Sequence, residues 1–249
     1  MMDNRVVIQQ GKQNPAYDLP FFINMINEHI SRLANSFEQI KDAHRAIAMK
    51  QYMRNQFEFF GVTSVPRKEL FSKWKNELPN DLNKEERWEL IRELWEKQER
   101  EYQYVAMDWL NSWKMSEIQE IDNKNLKFLI SNKAWWDTVD LLSSNVLGKY
   151  GQKFPEKMLE IIEDWSEEDS FWLHRATIIF QLRYKANTNL KTLSNQIIRF
   201  QGNKEFFIQK AIGWSLREYA KTNPNNVKKF VEESGIQGLA KREALKHMK

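Results

Sequence analysis

Cysteine is absent from this chain. That single gap excludes disulfides, thiol nucleophiles, thiolate-bound zinc and iron–sulfur clusters. Glycine and proline are scarce, with eight and six in 249 residues. A sandwich or barrel needs more turn residues than that, so helices joined by short turns are expected. Strand-type alternation persists nowhere along the chain. No apolar run approaches the ~18 residues of a membrane span. The opening MMDNRVVIQQGKQNPAYDLP lacks the apolar stretch of a secretory signal. The expectation is a cytoplasmic protein with no membrane partner.

Cofactor signatures are missing as well. There is no Walker loop and no GxGxxG, so no nucleotide cofactor is expected. His29, His44, His174 and His247 are scattered without ligand spacing, so no metal is expected. No GxSxG nucleophile elbow occurs. By elimination, any catalysis rests on a lone carboxylate with aromatic and cationic help.

What the chain does have is aromatic rings and a basic end. Ten Trp, fifteen Phe and seven Tyr accompany 29% charged residues, a mix that suits a folded and soluble protein. From Lys221 onward seven Lys or Arg face three Glu, an excess equal to the net +4 of the whole chain. A basic end suits a phosphate backbone, and equally an ordinary solubilising tail.

Periodicity organises the rest. Residues 1–18 show none and are expected to form a flexible arm, leaving 19–249 as a single domain. Phe21, Phe22, Met25, Ile26 and His29 recur at helical spacing, as do Met49, Met53, Phe57 and Phe60. Pro66 is expected to open a helix with Leu70, Phe71 and Trp74 on one face. The next helix carries Trp88, Ile91, Leu94 and Trp95. Helices are then predicted over 99–114, 125–130, 134–148, 155–164, 170–185, 192–200, 205–221, 225–233 and from 241 to the end. This is helix-turn-helix stacking at the period of short α-solenoid repeats, an all-α architecture.

Val105, Asp140, Arg175 and Lys210 follow one another at a 35-residue step. In-register repeats place such positions along one continuous surface. Three consecutive copies are charged, while the residues that follow them (Leu141, Ala176, Ala211) are apolar. Trp136 lies four residues before Asp140, Trp172 three before Arg175, and Trp214 four after Lys210, hence on the same faces. A lone Trp at helical spacing is ordinarily core. Asp, Arg and Lys are seldom fully buried without partners, so these faces should reach solvent and leave the rings partly exposed, suited to stacking on a base or sugar.

The strings KAWWDTVDLL (133–142), WLHRATIIFQLRYK (172–185) and FFIQKAIGWSLREYAKTNP (206–224) closely resemble the AlkD-type DNA alkylation-repair glycosylases. QYMRNQFEFFGV (51–62) and AKREALKH (240–247) do too, and the similarity runs in order over roughly residues 45–249. The resemblance implies a solenoid of HEAT-like helix pairs with duplex DNA in a concave groove. It implies release of cationic alkylated purines, 3-methyladenine and 7-methylguanine, by cleavage of the N-glycosidic bond without base flipping. The family's Trp, Asp, Arg and second Trp fall on Trp136, Asp140, Arg175 and Trp214, and a groove tyrosine near the lesion on Tyr52.

On that basis Asp140 is the expected carboxylate beside the sugar, with Trp136 and Trp214 enclosing the deoxyribose. Arg175 either binds a phosphate or holds Asp140 ionised and oriented. Lys210, from the repeat alignment, and Lys241 and Arg242, from the basic end, are candidate DNA contacts. The expected partner is double-stranded DNA bearing alkylated purines, and the expected state a monomer. Two other functions fit the same surface: a DNA-binding protein of this shape without excision activity, and a helical-repeat scaffold for another protein. Site and core roles for the two Trp separate in one experiment. Trp136→Ala and Trp214→Ala should each lower base excision more than they lower the thermal midpoint. Variants that mainly unfold would return both rings to the core.

Overall fold

The computed structural model describes residues 19–248, so the expected arm over 1–18 lies outside the described residues. Among the described residues the regular structure is helical throughout, with one isolated bridge between Glu58 and Glu99. None of these helices is long and apolar enough to cross a membrane. The helices are α1 (Leu19–Ile40), α2 (Ala43–Tyr52), α3 (Ser64–Glu77), α4 (Lys84–Glu96), α5 (Arg100–Ser112), α6 (Asp122–Ser131) and α7 (Trp136–Leu141). After them come α8 (Gly148–Lys153), α9 (Pro155–Glu167), α10 (Phe171–Ile179), α11 (Leu190–Phe200), α12 (Phe206–Ala220), α13 (Pro224–Glu233) and α14 (Gly238–Leu245).

Two rows form. In the inner row α3, α5, α7, α10, α12 and α14 each pack on the next, and α4, α9, α11 and α13 pair with members of that row. This is an α-solenoid of helix pairs. Its period is written in the polar ties between neighbours. Trp95 Nε1 donates to the Asn132 carbonyl, Arg100 to Asp137, Lys153 Nζ to the Ile118 carbonyl, Tyr184 Oη to the Gly148 carbonyl and Ser215 Oγ to the Ile178 carbonyl. All span 35 to 37 residues. Each satisfies a carbonyl or carboxylate that stacking would otherwise strip of water. Arg199 on α11 extends the ties outward to Glu163 and Glu167 on α9, and Lys127 on α6 reaches Asp164 and Glu168.

Several predicted helices end elsewhere. The helical spacing of Met49, Met53, Phe57 and Phe60 does not hold past Tyr52, where α2 stops and leaves Phe57 and Phe60 in a loop. The helix expected from 241 to the end runs Gly238–Leu245. The helix expected over 134–148 starts at Trp136 and runs on to Lys153, because a π-helical stretch, Leu142–Leu147, carries it through without a break. The helix expected over 170–185 stops at Ile179. Tighter bonds take over, from the Leu182 N–H to the Ile179 carbonyl and from the Tyr184 N–H to the Gln181 carbonyl. Those three-residue bonds turn the chain toward α11, and Gln181 fastens the turn by accepting from the Asn189 N–H.

A buried carboxylate anchors the N-terminal helices to this stack. Glu101 on α5, fully buried, accepts the backbone N–H groups of Phe60, Gly61 and Val62 at 2.9–3.1 Å. The same loop meets α2, where the Asp42 N–H donates to the Phe60 carbonyl. Gly61 is required there. Its φ is +85°, and a Cβ would stand 2.1 Å from the Asp42 carbonyl oxygen. Glu101→Ala orphans three buried donors together. It should lower unfolding free energy by about 3 kcal/mol or more, at roughly 1 kcal/mol or more for each N–H. Urea titration reads this directly, and a midpoint equal to the parent's would show that the loop finds other acceptors.

Candidate functional site

Most buried apolar side chains fall into two clusters, one from Phe22 to Phe180 and one from Ile178 to Ala244. The inner helix α10 belongs to both. Trp172, Leu173 and Ala176 pack in the first, Ile178 and Ile179 in the second. A cavity of about 410 Å³ opens at this seam. It brings together Tyr52, Trp136, Asp140, Arg175, Lys210 and Trp214, residues separated by up to 162 positions in sequence. A second cavity, about 690 Å³, adjoins it and shares Trp136, Asp140 and Trp214. Asp140 therefore stands where the two meet, and both indoles line each cavity with it.

Helix geometry explains the convergence. Trp136 and Asp140 are one turn apart on α7, and Lys210 and Trp214 one turn apart on α12. Arg175 on α10 sits between those helices. Its Nε lies 2.7 Å from Asp140 Oδ1 and its Nη2 2.8 Å from Oδ2, a bidentate pair. Nη1 donates to the Phe207 carbonyl at the start of α12. Arg175 is only 4% exposed. The sequence leads to a charged face open to solvent, and its central cation is instead inside, paired. Two of the three rings behave as their charged companions suggest, since Trp136 and Trp214 are both half-buried, but Trp172 is buried, packed against Trp135 and Phe207.

Tyr52 ends α2 and is 70% exposed, its ring edge-on to Trp136 with centroids 5.9 Å apart. The helix stops there because Arg54 and Asn55 both take left-handed backbone conformations, φ 53° and 57°. The Arg54 N–H returns to the Gln51 carbonyl and the Asn55 N–H to the Lys50 carbonyl. Lys210 is half-buried and ion-paired with Glu243 at 3.2 Å. Lys241 and Arg242 stand exposed on α14 and are not among the residues lining either cavity.

Sequence reasoning passed over several lining residues. Trp135, Phe206, Phe207, Arg54, Arg217 and Glu243 complete the first cavity. Phe206, 51% exposed, was within reach, since it lies two 35-residue steps after Trp136. Trp135 meets Trp172 and Phe207 at 5.7 and 5.4 Å and backs the wall.

An α-solenoid whose inner row carries two adjoining open cavities of aromatic rings and paired charges is the class of protein defined by this fold and site. The family model described as DNA alkylation repair enzyme matches residues 33–248. A solved structure described as a predicted DNA alkylation repair enzyme from Enterococcus faecalis is 34% identical over 84% of this chain and 96% of that chain, with a TM-score of 0.77. No curated protein matches. The chain belongs to the DNA alkylation repair enzyme family.

Burial lifts the Asp140 carboxyl above the ordinary aspartate range, the Arg175 guanidinium offsets part of that rise, and the nearby Asp137 adds to it. The folded state therefore holds this proton more tightly than the unfolded chain. The contribution of Asp140 to stability is largest at low pH and declines as pH rises through the interval between the two values, opposite in sign to an ordinary salt-bridged aspartate. Comparing the pH–stability curves of the parent and Asp140→Asn should show this difference. The folded carboxyl, followed by carbon NMR, should titrate above a normal aspartate and rise further in Arg175→Gln. A midpoint at or below the ordinary value would mean that the guanidinium dominates burial.

Proposed function

We propose that the protein is a monofunctional DNA glycosylase that hydrolyses the N-glycosidic bond of cationic alkylated purines, 3-methyladenine and 7-methylguanine, in duplex DNA. It would act as a cytoplasmic monomer, without flipping the base and without a cofactor or metal. The observation that carries this is one carboxylate, Asp140, held by a bidentate arginine in an open cavity that two half-exposed indoles, Trp136 and Trp214, also line.

The chemistry follows from charge. An N3- or N7-alkylated purine is already cationic, so the C1′–N bond breaks with its electron pair leaving on the purine, which departs neutral. No leaving-group acid is required. What needs stabilising is the sugar as it becomes oxocarbenium-like. Asp140 opposes that charge directly. Both its oxygens accept from Arg175, and each keeps a further lone pair to meet the sugar or to orient the attacking water, whose proton passes to the carboxylate or to solvent. Trp136 and Trp214 present ring faces to the developing cation. Of the two tasks open to Arg175, holding Asp140 is favoured, because its three nitrogens already donate to Asp140 and to the Phe207 carbonyl. Lys210, with the exposed Lys241 and Arg242, supplies phosphate contacts on this reading.

Release of 7-methylguanine from a duplex oligonucleotide tests it. The parent should release the base and Asp140→Asn should do so roughly a hundredfold more slowly or less, the scale of removing one preorganised electrostatic group. Duplex binding by the variant should persist. A folded, DNA-binding parent that releases nothing would make the protein a non-catalytic DNA binder, and efficient release of uracil, a neutral base, would refute the charge-based mechanism.

A further inference from the structure

Two cations and a carboxylate meet at the edge of the cavity, apart from the Asp140–Arg175 pair. Lys210 and Arg217 lie seven residues apart on α12, with Trp214 between them on the same stripe. That spacing is roughly 10 Å along a helix. Glu243 of α14 reaches both. Its Oε1 is 3.2 Å from Lys210 Nζ and its Oε2 is 2.5 Å from Arg217 Nη1. All three line the cavity, and the Glu243 side chain, 13% exposed, is more enclosed than either cation.

The packing beneath fixes that position. At Gly213 the two helices approach so closely that an added Cβ would stand 2.4 Å from Glu243 Cβ. The backbone under Glu243 is thereby held against α12. Its hydrogen bond from Arg217 keeps the carboxyl below the usual glutamate range, so it is an anion at neutral pH. A DNA phosphate approaching Lys210 or Arg217 finds a carboxylate already bonded there. Carboxylate and phosphate oxygens take up a guanidinium in the same geometry, so the two compete for one donor set.

We propose that Glu243 is an internal competitor for DNA phosphate, a specificity-determining residue that occupies Lys210 and Arg217 in the free protein and weakens its hold on undamaged duplex. The inference rests on reading this cavity as the DNA site. Lesion-independent affinity comes from cation–phosphate contacts and their release of counterions. Occupying two of those cations lowers that affinity for every sequence alike. The aromatic faces and Asp140, which meet the damaged nucleotide itself, keep their full effect, so the ratio of damaged to undamaged binding rises.

The test compares the full chain with Glu243→Gln and with Glu233→Gln, the same charge change at an exposed site on α13. Affinity for an undamaged duplex is measured by fluorescence anisotropy across salt concentrations, beside thermal melting. Glutamine keeps the shape and one acceptor but no charge. Glu243→Gln should bind undamaged duplex roughly fivefold more tightly at low salt, with a log–log salt slope steeper by about 1 to 2, while Glu233→Gln moves the slope by well under about 1. A Glu243→Gln protein that melts normally yet binds no more tightly than the parent overturns the proposal. Equal slope changes in the two variants overturn it too, since the effect would then be net charge alone. Base release by the parent is measured separately: its absence counts against the glycosylase and leaves the binding comparison intact.

Discussion

Arg175 stands on α10 and donates its guanidinium hydrogens to Asp140 on α7 and to the Phe207 carbonyl on α12. Three successive inner helices meet in one buried side chain. The two apolar clusters that make up the interior divide at this helix, so the guanidinium pins the seam as well as the site. A solenoid touches itself only between neighbours, and its curvature at any point is set by such local contacts. Lysine could not replace this arginine, because one ammonium cannot span a carboxylate edge and a carbonyl on opposite sides in a fixed plane.

The pair carries an energetic tension. Taking a carboxylate out of water is costly, and the guanidinium repays that cost only in part, which is why the Asp140 carboxyl stays above its ordinary range. A hydrophobic pair of equal volume would close the seam at less expense of free energy. The preceding repeat has that solution at the equivalent position, where Val105 is fully buried. Where one repeat uses valine and the next uses an aspartate facing an open cavity, packing alone does not account for the aspartate. Arg100 offers the contrast: equally buried, it clamps Asp137, Thr138 and the Lys133 carbonyl around the first turn of α7, and so steadies the helix that presents Trp136 and Asp140.

Much of this was legible in the sequence. The 35-residue step that aligns Asp140, Arg175 and Lys210 reappears as the 35-to-37-residue span of the ties between helices, and helical spacing put Trp136 and Trp214 on the faces they occupy. The parts that escaped depend on contacts without a local signal. Nothing in LSSNVL marks a π-helical stretch, because the extra residue is tolerated by packing on both sides. Nothing near Ile179 stops a helix, since the turn is fastened by Gln181 to Asn189, in the next element. Glu243 looks like one more surface glutamate of a basic tail until Gly213 brings its helix against α12. Arg242 beside it and Lys241 two residues back are exposed and do not line the cavity it helps to form, and charge counting cannot separate the three.

The openness of the cavity constrains the chemistry it can support. An enzyme that must protonate a poor leaving group needs a dry pocket, where an acid keeps a raised pKa and its proton is not lost to solvent. Here Tyr52 and Phe206 stand largely in water at the rim, and two adjoining cavities leave Asp140 reachable from both sides. Such a site can still apply an electrostatic field, because Arg175 fixes the carboxylate through two hydrogen bonds. A field of that kind acts best on a bond whose leaving group carries its own positive charge. Under the proposed glycosylase function, substrate choice would be set by the charge on the damaged base, and an open groove would suffice where a closed pocket is otherwise needed.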